Sequence, residues 1–111
     1  MDFESFINTG KLRSFIVEIE NIGSINLTEL SGDEFLLRSK QAQELIDKDI
    51  GENQEHMAWW ACRMVKGKNP TKAEVKLLKA NYSPSVYVEI YQKGLAYVGG
   101  TPEAKEEIEK K

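Results

Sequence analysis

The stretch Phe15-Ile16-Val17-Glu18-Ile19-Glu20-Asn21-Ile22-Gly23-Ser24-Ile25-Asn26-Leu27-Thr28-Glu29-Leu30-Ser31-Gly32-Asp33-Glu34 changes its hydrophobic period at Ser31. Before that point Phe15, Val17 and Ile19 alternate with Ile16, Glu18 and Glu20, and Ile25 and Leu27 alternate with Asn26 and Thr28. A period of two marks strands with one buried face. Asn21-Ile22-Gly23 supplies turn residues between them, so 15–30 reads as a β-hairpin. Ser31 and Glu34 then stand in the spacing of a capping box, in which hydroxyl and carboxylate each satisfy a backbone N–H at a helix start. A lone two-stranded hairpin is marginal in water, so its apolar face must lie on the following helices or on another subunit's strands. The second option raises the possibility of self-association.

Outward from this junction the pattern is helical. Phe35, Ala42, Leu45 and Ile46 form one apolar face, ending near Asp47 to Gly51. Asn53 is the expected cap of a central helix in which Met57, Trp60, Ala61 and Met64 recur at i, i+3, i+4 and i+7, with Trp59, Cys62 and Val65 widening the apolar surface. Gly67 and Pro70 stop that helix. A second capping box, Thr71 to Glu74, opens a short helix carrying Val75, Leu77 and Leu78. Ser83-Pro84 sets the start of the next, whose stripe is Tyr87, Ile90, Tyr91, Gly94, Leu95 and Val98. Upstream, Phe3, Phe6 and Ile7 share one face of a short helix that Gly10 can end. The expected architecture is one α+β, mainly helical domain over 1–111, an N-terminal β-hairpin (15–30) packed against four or five short helices (helical body 31–99). A charged tail, 100–111, is expected to fray.

Composition narrows the function classes. At 111 residues with 41% hydrophobic and 30% charged side chains, the chain is too apolar for a disordered protein and has one domain's worth of core. No uncharged run approaches the roughly 18 apolar residues of a spanning helix. The opening Met1-Asp2-Phe3-Glu4 is unlike a secretory leader, so a cytoplasmic location without membrane association is expected. Cys62 is the sole cysteine, which precludes an intramolecular disulfide. The net charge is -3 and the lysines are interleaved with acids, so nucleic acid binding is not expected.

Reactive chemistry has little to build on. His56 is the one histidine, and its six-residue separation from Cys62 on one helix keeps the two from forming a base and nucleophile pair. Glu18 and Glu20 face outward by strand alternation, and the capping box accounts for Glu34. Gly99-Gly100 is a helix stop, since no strand precedes it as a phosphate loop requires. No catalytic residue, metal ligand or cofactor site is assigned, and no enzymatic activity is expected. Trp59 and Trp60 point about 100° apart on a helix, so both cannot occupy one face. Trp60 follows the Met57/Met64 stripe inward, leaving Trp59 for a partner surface, where tryptophan is enriched. Burial of both in a small bundle is the competing expectation. Tyr87 and Tyr91 are the other partner-binding candidates, with the edge of the core as their ordinary place.

The order of these features resembles the tail assembly chaperones of long-tailed bacteriophages. The similarity covers most of the chain: the Phe-rich start from Met1 to Phe6, the hairpin from Val17 to Ser31 with a glycine between strands and Leu-Ser before an acidic helix start, and the Cys-bearing helix followed by Gly67-Lys68-Asn69-Pro70-Thr71. Glu74-Val75 and Leu78, Ser83-Pro84-Ser85-Val86, and the ending from Leu95 to Gly100 followed by Glu103-Ala104 complete it. The resemblance implies a non-enzymatic chaperone that binds and solubilises the tape measure protein and recruits the major tail tube protein. It would act in the cytoplasm of the infected host and be absent from the mature virion. The alternative is a small phage or bacterial regulatory or DNA-associated protein using the helix-turn-helix-like segment 71–97. In that segment the second helix presents Tyr87, Glu89, Tyr91, Gln92 and Lys93, a poor set for reading bases.

Overall fold

The computed structural model describes residues 1–99; the charged segment 100–111, and the fraying expected of it, lie outside the described residues. The elements are α1 (Phe3–Thr9), β1 (Ser14–Ile19), β2 (Gly23–Thr28), α2 (Gly32–Glu44), α3 (Ile50–Lys66), α4 (Lys72–Asn81) and α5 (Pro84–Gly99). The α+β, mainly helical architecture with an N-terminal hairpin is the one the periodicity predicts.

The hairpin is antiparallel, with Phe15 opposite Leu27 and Val17 opposite Ile25. Ile19 and Gly23 close it around a three-residue loop in which Asn21 takes a left-handed φ of 66°, a conformation its short amide side chain tolerates. Alternation then buries Phe15, Val17, Ile19 and Leu27 on one face, which lies on two helices: β1 on α5 and β2 on α3. The Phe15 ring stacks on Tyr97 at 3.8 Å between centroids and 6° between planes, fastening the first strand to the end of the last helix. At the hairpin tip the Glu89 carboxylate accepts from the Glu20 amide and pairs with Lys93, whose ammonium donates to the Glu18 carbonyl. These polar ties explain why the loop sits on α5.

Helix α3 is the hub, packing against β2, α2, α4 and α5. Its Ala58, Trp60, Ala61 and Met64 are buried, and alanine at two of these positions lets neighbours approach. The closest approach is to α5 at Gly94, where a Cβ would fall 2.5 Å from Met64 Sδ and 3.4 Å from Leu27 Cδ1. At Gly67 the chain takes a φ of 86°, the left-handed C-cap that glycine adopts without steric cost.

Both capping boxes form: Ser31 Oγ accepts from the Glu34 amide while the Glu34 carboxylate accepts from the Ser31 amide, and Thr71 and Glu74 repeat the exchange. Each cap is worth about 1 kcal/mol. Glu34 also has a second role. Its two oxygens meet Arg63 Nε and Nη2, each at 2.7 Å, and Arg63 is 3% exposed. The guanidinium thereby joins α3 to the start of α2, with a longer contact of 3.4 Å to the Glu29 carbonyl.

Two expectations are corrected. The cap of α3 is Asp49, whose carboxylate accepts from the Glu52 amide; Asn53 lies one turn inside and its amide instead donates to the carbonyls of Leu45, Lys48 and Asp49, tying the end of α2 to the start of α3. Helix α2 stops at Glu44, before Ile46, which is left 73% exposed. On α4, Val75 is buried but Leu77 is 62% exposed, because α3 covers only one side of that helix.

Gly94→Val places branched methyls against a fully buried Met64, so overpacking outweighs the roughly 1 kcal/mol gained in helix propensity over glycine. Urea unfolding should show a loss of about 1–3 kcal/mol. Glu34→Gln leaves the Arg63 charge without its counterion and should cost about 3 kcal/mol, more than Arg63→Met together with Glu34→Leu, a difference that a double-mutant cycle by urea unfolding measures.

Candidate functional site

Trp59 stands between the two faces of α3 that the other helices cover. Its ring meets Trp60 edge to face, with centroids 4.7 Å apart and planes at 72°. Trp60 goes into the core, 2% exposed, with its indole N–H donating to Gln41 Oε1 at 2.9 Å; Trp59 remains half-buried. The two adjacent indoles thus divide as helical geometry requires, one inward and one toward the surface.

Three hollows meet at Trp59. The largest, about 500 Å3, runs between α3 and α4 and is lined by Glu55, Trp59, Lys72, Val75, Lys76 and Lys79 among others. On the opposite side, toward α2, one of about 370 Å3 is bordered by Gln41, Leu45 and His56, and one of about 340 Å3 by Leu37 and Asn69. The α3/α4 groove has an apolar floor of Trp59, Val75 and Ala73 and a cationic rim. Lys79 is paired with Glu55, whereas Lys72 and Lys76 have no ion pair among the described residues. At the base of α4 the Lys66 ammonium and the Thr71 amide hold the Glu74 carboxyl down to about 2, so that end of the groove keeps its charges throughout the neutral range.

Tyr87 and Tyr91, the other two candidates, are placed in the core rather than on a surface, 4% and 9% exposed. The strict stripe of α5 faces α3, and both rings lie on it. Tyr91 has a polar role inside: its hydroxyl lies 3.1 Å from Arg38 Nη1 and 3.1 Å from His56 Nε2, joining α2, α3 and α5. Arg38 donates to the hydroxyl, and the bond between Tyr91 and His56 Nε2 runs in the direction the imidazole tautomer sets. Burial pushes His56 below its ordinary 6.5, helped by the nearby Arg38 charge. Cys62 is the reverse case, its thiol pushed up by burial and by Glu74, so it is held as the unreactive thiol. No cluster of three or more His, Cys, Asp or Glu suited to a metal occurs among the described residues.

The remaining feature is apolar side chains with no cover. Phe3 is 77% exposed, Phe6 63%, Leu36 68% and Leu77 62%, and the exposed Leu37 of α2 borders one of the hollows at Trp59. Every residue from Met1 to Ser14 is exposed, so the Phe3/Phe6/Ile7 face of α1, legible as a stripe, has nothing against it. Sequence reasoning missed Arg63 and the Lys72/Lys76/Lys79 rim. A signal existed for each: Arg63 is the single charge within Met57 to Val65, and the three lysines recur at helical spacing.

Fold and surface together define a small α+β domain whose distinguishing feature is an apolar, cation-rimmed groove between two helices. Comparison of the chain with protein-family models, with curated proteins and with solved structures yields no match. No helix among the described residues is long and apolar enough to cross a membrane.

The His56 site has a pH signature. Burial lowers the His56 pKa in the native state below the 6.5 near which the unfolded chain takes up its proton, so this contribution to stability is full above about 6.5 and declines as pH falls through it. Melting between about pH 7.5 and about pH 5 should show a fall in Tm for the wild type that is smaller in His56→Gln, which does not ionise. The Glu34 and Glu89 carboxyls, both held below their ordinary 4.5, contribute their own loss only at more acid pH.

Proposed function

We propose that the chain is a non-enzymatic assembly chaperone of the phage tail type, which holds an apolar, helical client, the tape measure protein, and helps bring tail tube subunits to it. The observation that carries this reading is the apolar surface about Trp59, with the α3/α4 groove on one side and, on the α2 side, a hollow bordered by the exposed Leu37. An amphipathic client helix placed there would set its i, i+3, i+4 side chains against the indole and Val75, the usual way a groove takes a helix. Exposed apolar side chains gathered about one region mark a binding surface more often than single ones do. The order of elements, hairpin first and capped helices after, adds the resemblance described above. On this reading the protein works in the host cytoplasm and leaves before the virion is complete.

Co-expression with the tape measure protein of the same phage or prophage tests it. The wild-type chain should raise the soluble fraction of the client severalfold and co-purify with it. Trp59→Ala and Leu37→Asp, which alter half-buried and exposed side chains, should reduce that recovery at least about tenfold while keeping the helical circular dichroism of the wild type. Equal client solubility with and without the chain would overturn the reading, and retention on DNA that falls with salt would favour the regulatory alternative.

A further inference from the structure

Helix α1 and the Trp59 groove are complementary in both respects that matter for docking. α1 carries Phe3, Phe6 and Ile7 on one face, all more than half exposed, together with Asp2 and Glu4 at its start. The groove offers an apolar floor of Trp59, Val75 and Ala73 beneath Lys72 and Lys76, cations that lack an ion pair among the described residues. We propose that α1 of one copy of this chain seats in the α3/α4 groove of a second copy, its aromatic side chains against Trp59 and its acids beside Lys72 and Lys76.

The connection suits such an exchange. Gly10 to Leu12 links α1 to the body, and the body begins firmly at Arg13, whose guanidinium makes a bidentate pair with Glu29 at 3.1 Å for each contact. A short, exposed link between an anchored strand and a helix with an uncovered apolar face is the arrangement from which chains exchange segments at little cost. The seven residues of α1 are also too few to hold a helix in water by themselves, so docking would stabilise the helix as well as bury its face. Reciprocal exchange closes a dimer with two filled grooves; one-way exchange leads to open chains. The same groove would then be occupied in the assembled form and vacated when another helix competes for it, whatever the identity of that competitor.

Sedimentation equilibrium of the full chain over a wide concentration range tests the proposal. The wild type should pass from the 12.6 kDa monomer to twice that mass or more, and Phe6→Asp should weaken the association at least about thirtyfold. Phe6 is exposed in the monomer, so its substitution leaves the fold intact. Lys76→Glu and Glu4→Lys should each weaken association about fivefold, and their combination should recover most of the loss, which nonspecific stickiness would not do. A mass that stays at one chain throughout, or an association indifferent to both Phe6→Asp and the charge exchange, would overturn it. So would a monomer in which Phe6→Asp shifts the Trp59 fluorescence, since α1 would then fill its own groove.

Discussion

A guanidinium in an apolar interior is sustainable only where a counterion and hydrogen-bond acceptors are brought to it, and Arg63 obtains both from Glu34, at a helix start 29 residues earlier in the chain. Glu34 has to satisfy the Ser31 amide and the Arg63 fork at once, which it can do only if α2 begins at one place and leaves the hairpin at one angle. The Arg63 guanidinium is what keeps the Glu34 carboxyl below its ordinary value despite partial burial. Nη1 of the same arginine is buried without a partner among the described residues, so nearly all of the site's satisfaction rests on one carboxylate. An energetically asymmetric contact of this kind adds little when intact and costs heavily when broken. It therefore selects one arrangement of α2 against α3.

The rest of the core is arranged around that junction. The hairpin cannot stand alone, and it is held because α3 and α5 together present a surface wide enough for Phe15, Val17, Ile19 and Leu27. That surface exists because Gly94 and the alanines of α3 let the two helices close on each other, and because Tyr97 carries the contact out to Phe15. Once α3 has been covered by β2 and α5 on one side, only its flanks remain for α2 and α4. These two helices are consequently half-docked: α2 has no fully buried residue and α4 has only Val75. Trp59 lies where the half-docked helices diverge, which is why hollows open on both sides of it. The hollows at Trp59 are thus a by-product of how the core is closed.

The proposed function draws on the same imbalance. A chain of this size that leaves Phe3, Phe6, Leu36, Ile46 and Ile50 in water gives up hydrophobic stabilisation it could have used and accepts a risk of aggregation. On the proposed reading the partners are helices, for which the apolar floor of the α3/α4 groove would be suited, and its lysines would favour acidic ones. The Arg38, Tyr91 and His56 group joins α2, α3 and α5, and His56 borders the hollows on the α2 side of Trp59.

Local chemistry made much of the fold legible. The alternation of Phe15, Val17 and Ile19, the two capping boxes, Gly67 and Ser83-Pro84 each act within a few residues, so hairpin, helix starts and helix stops could be read without knowing what packs on what. The cap of α3 was misplaced for a local reason as well: Asp49 and Asn53 are both competent caps, and only the position of the α2 carbonyls, which Asn53 serves, distinguishes them. Sequence by itself also determined that Trp59 and Trp60 must face different ways, since 3.6 residues per turn requires it. Tertiary structure decided which apolar faces received a neighbour. Tyr87 and Tyr91 were covered by α3, the Phe3/Phe6 face of α1 was not, and Arg63 met Glu34 across 29 positions of chain. Periodicity gives the direction of a side chain relative to its own helix axis, whereas burial depends on where other axes lie, and that is set by the simultaneous packing of residues remote in sequence.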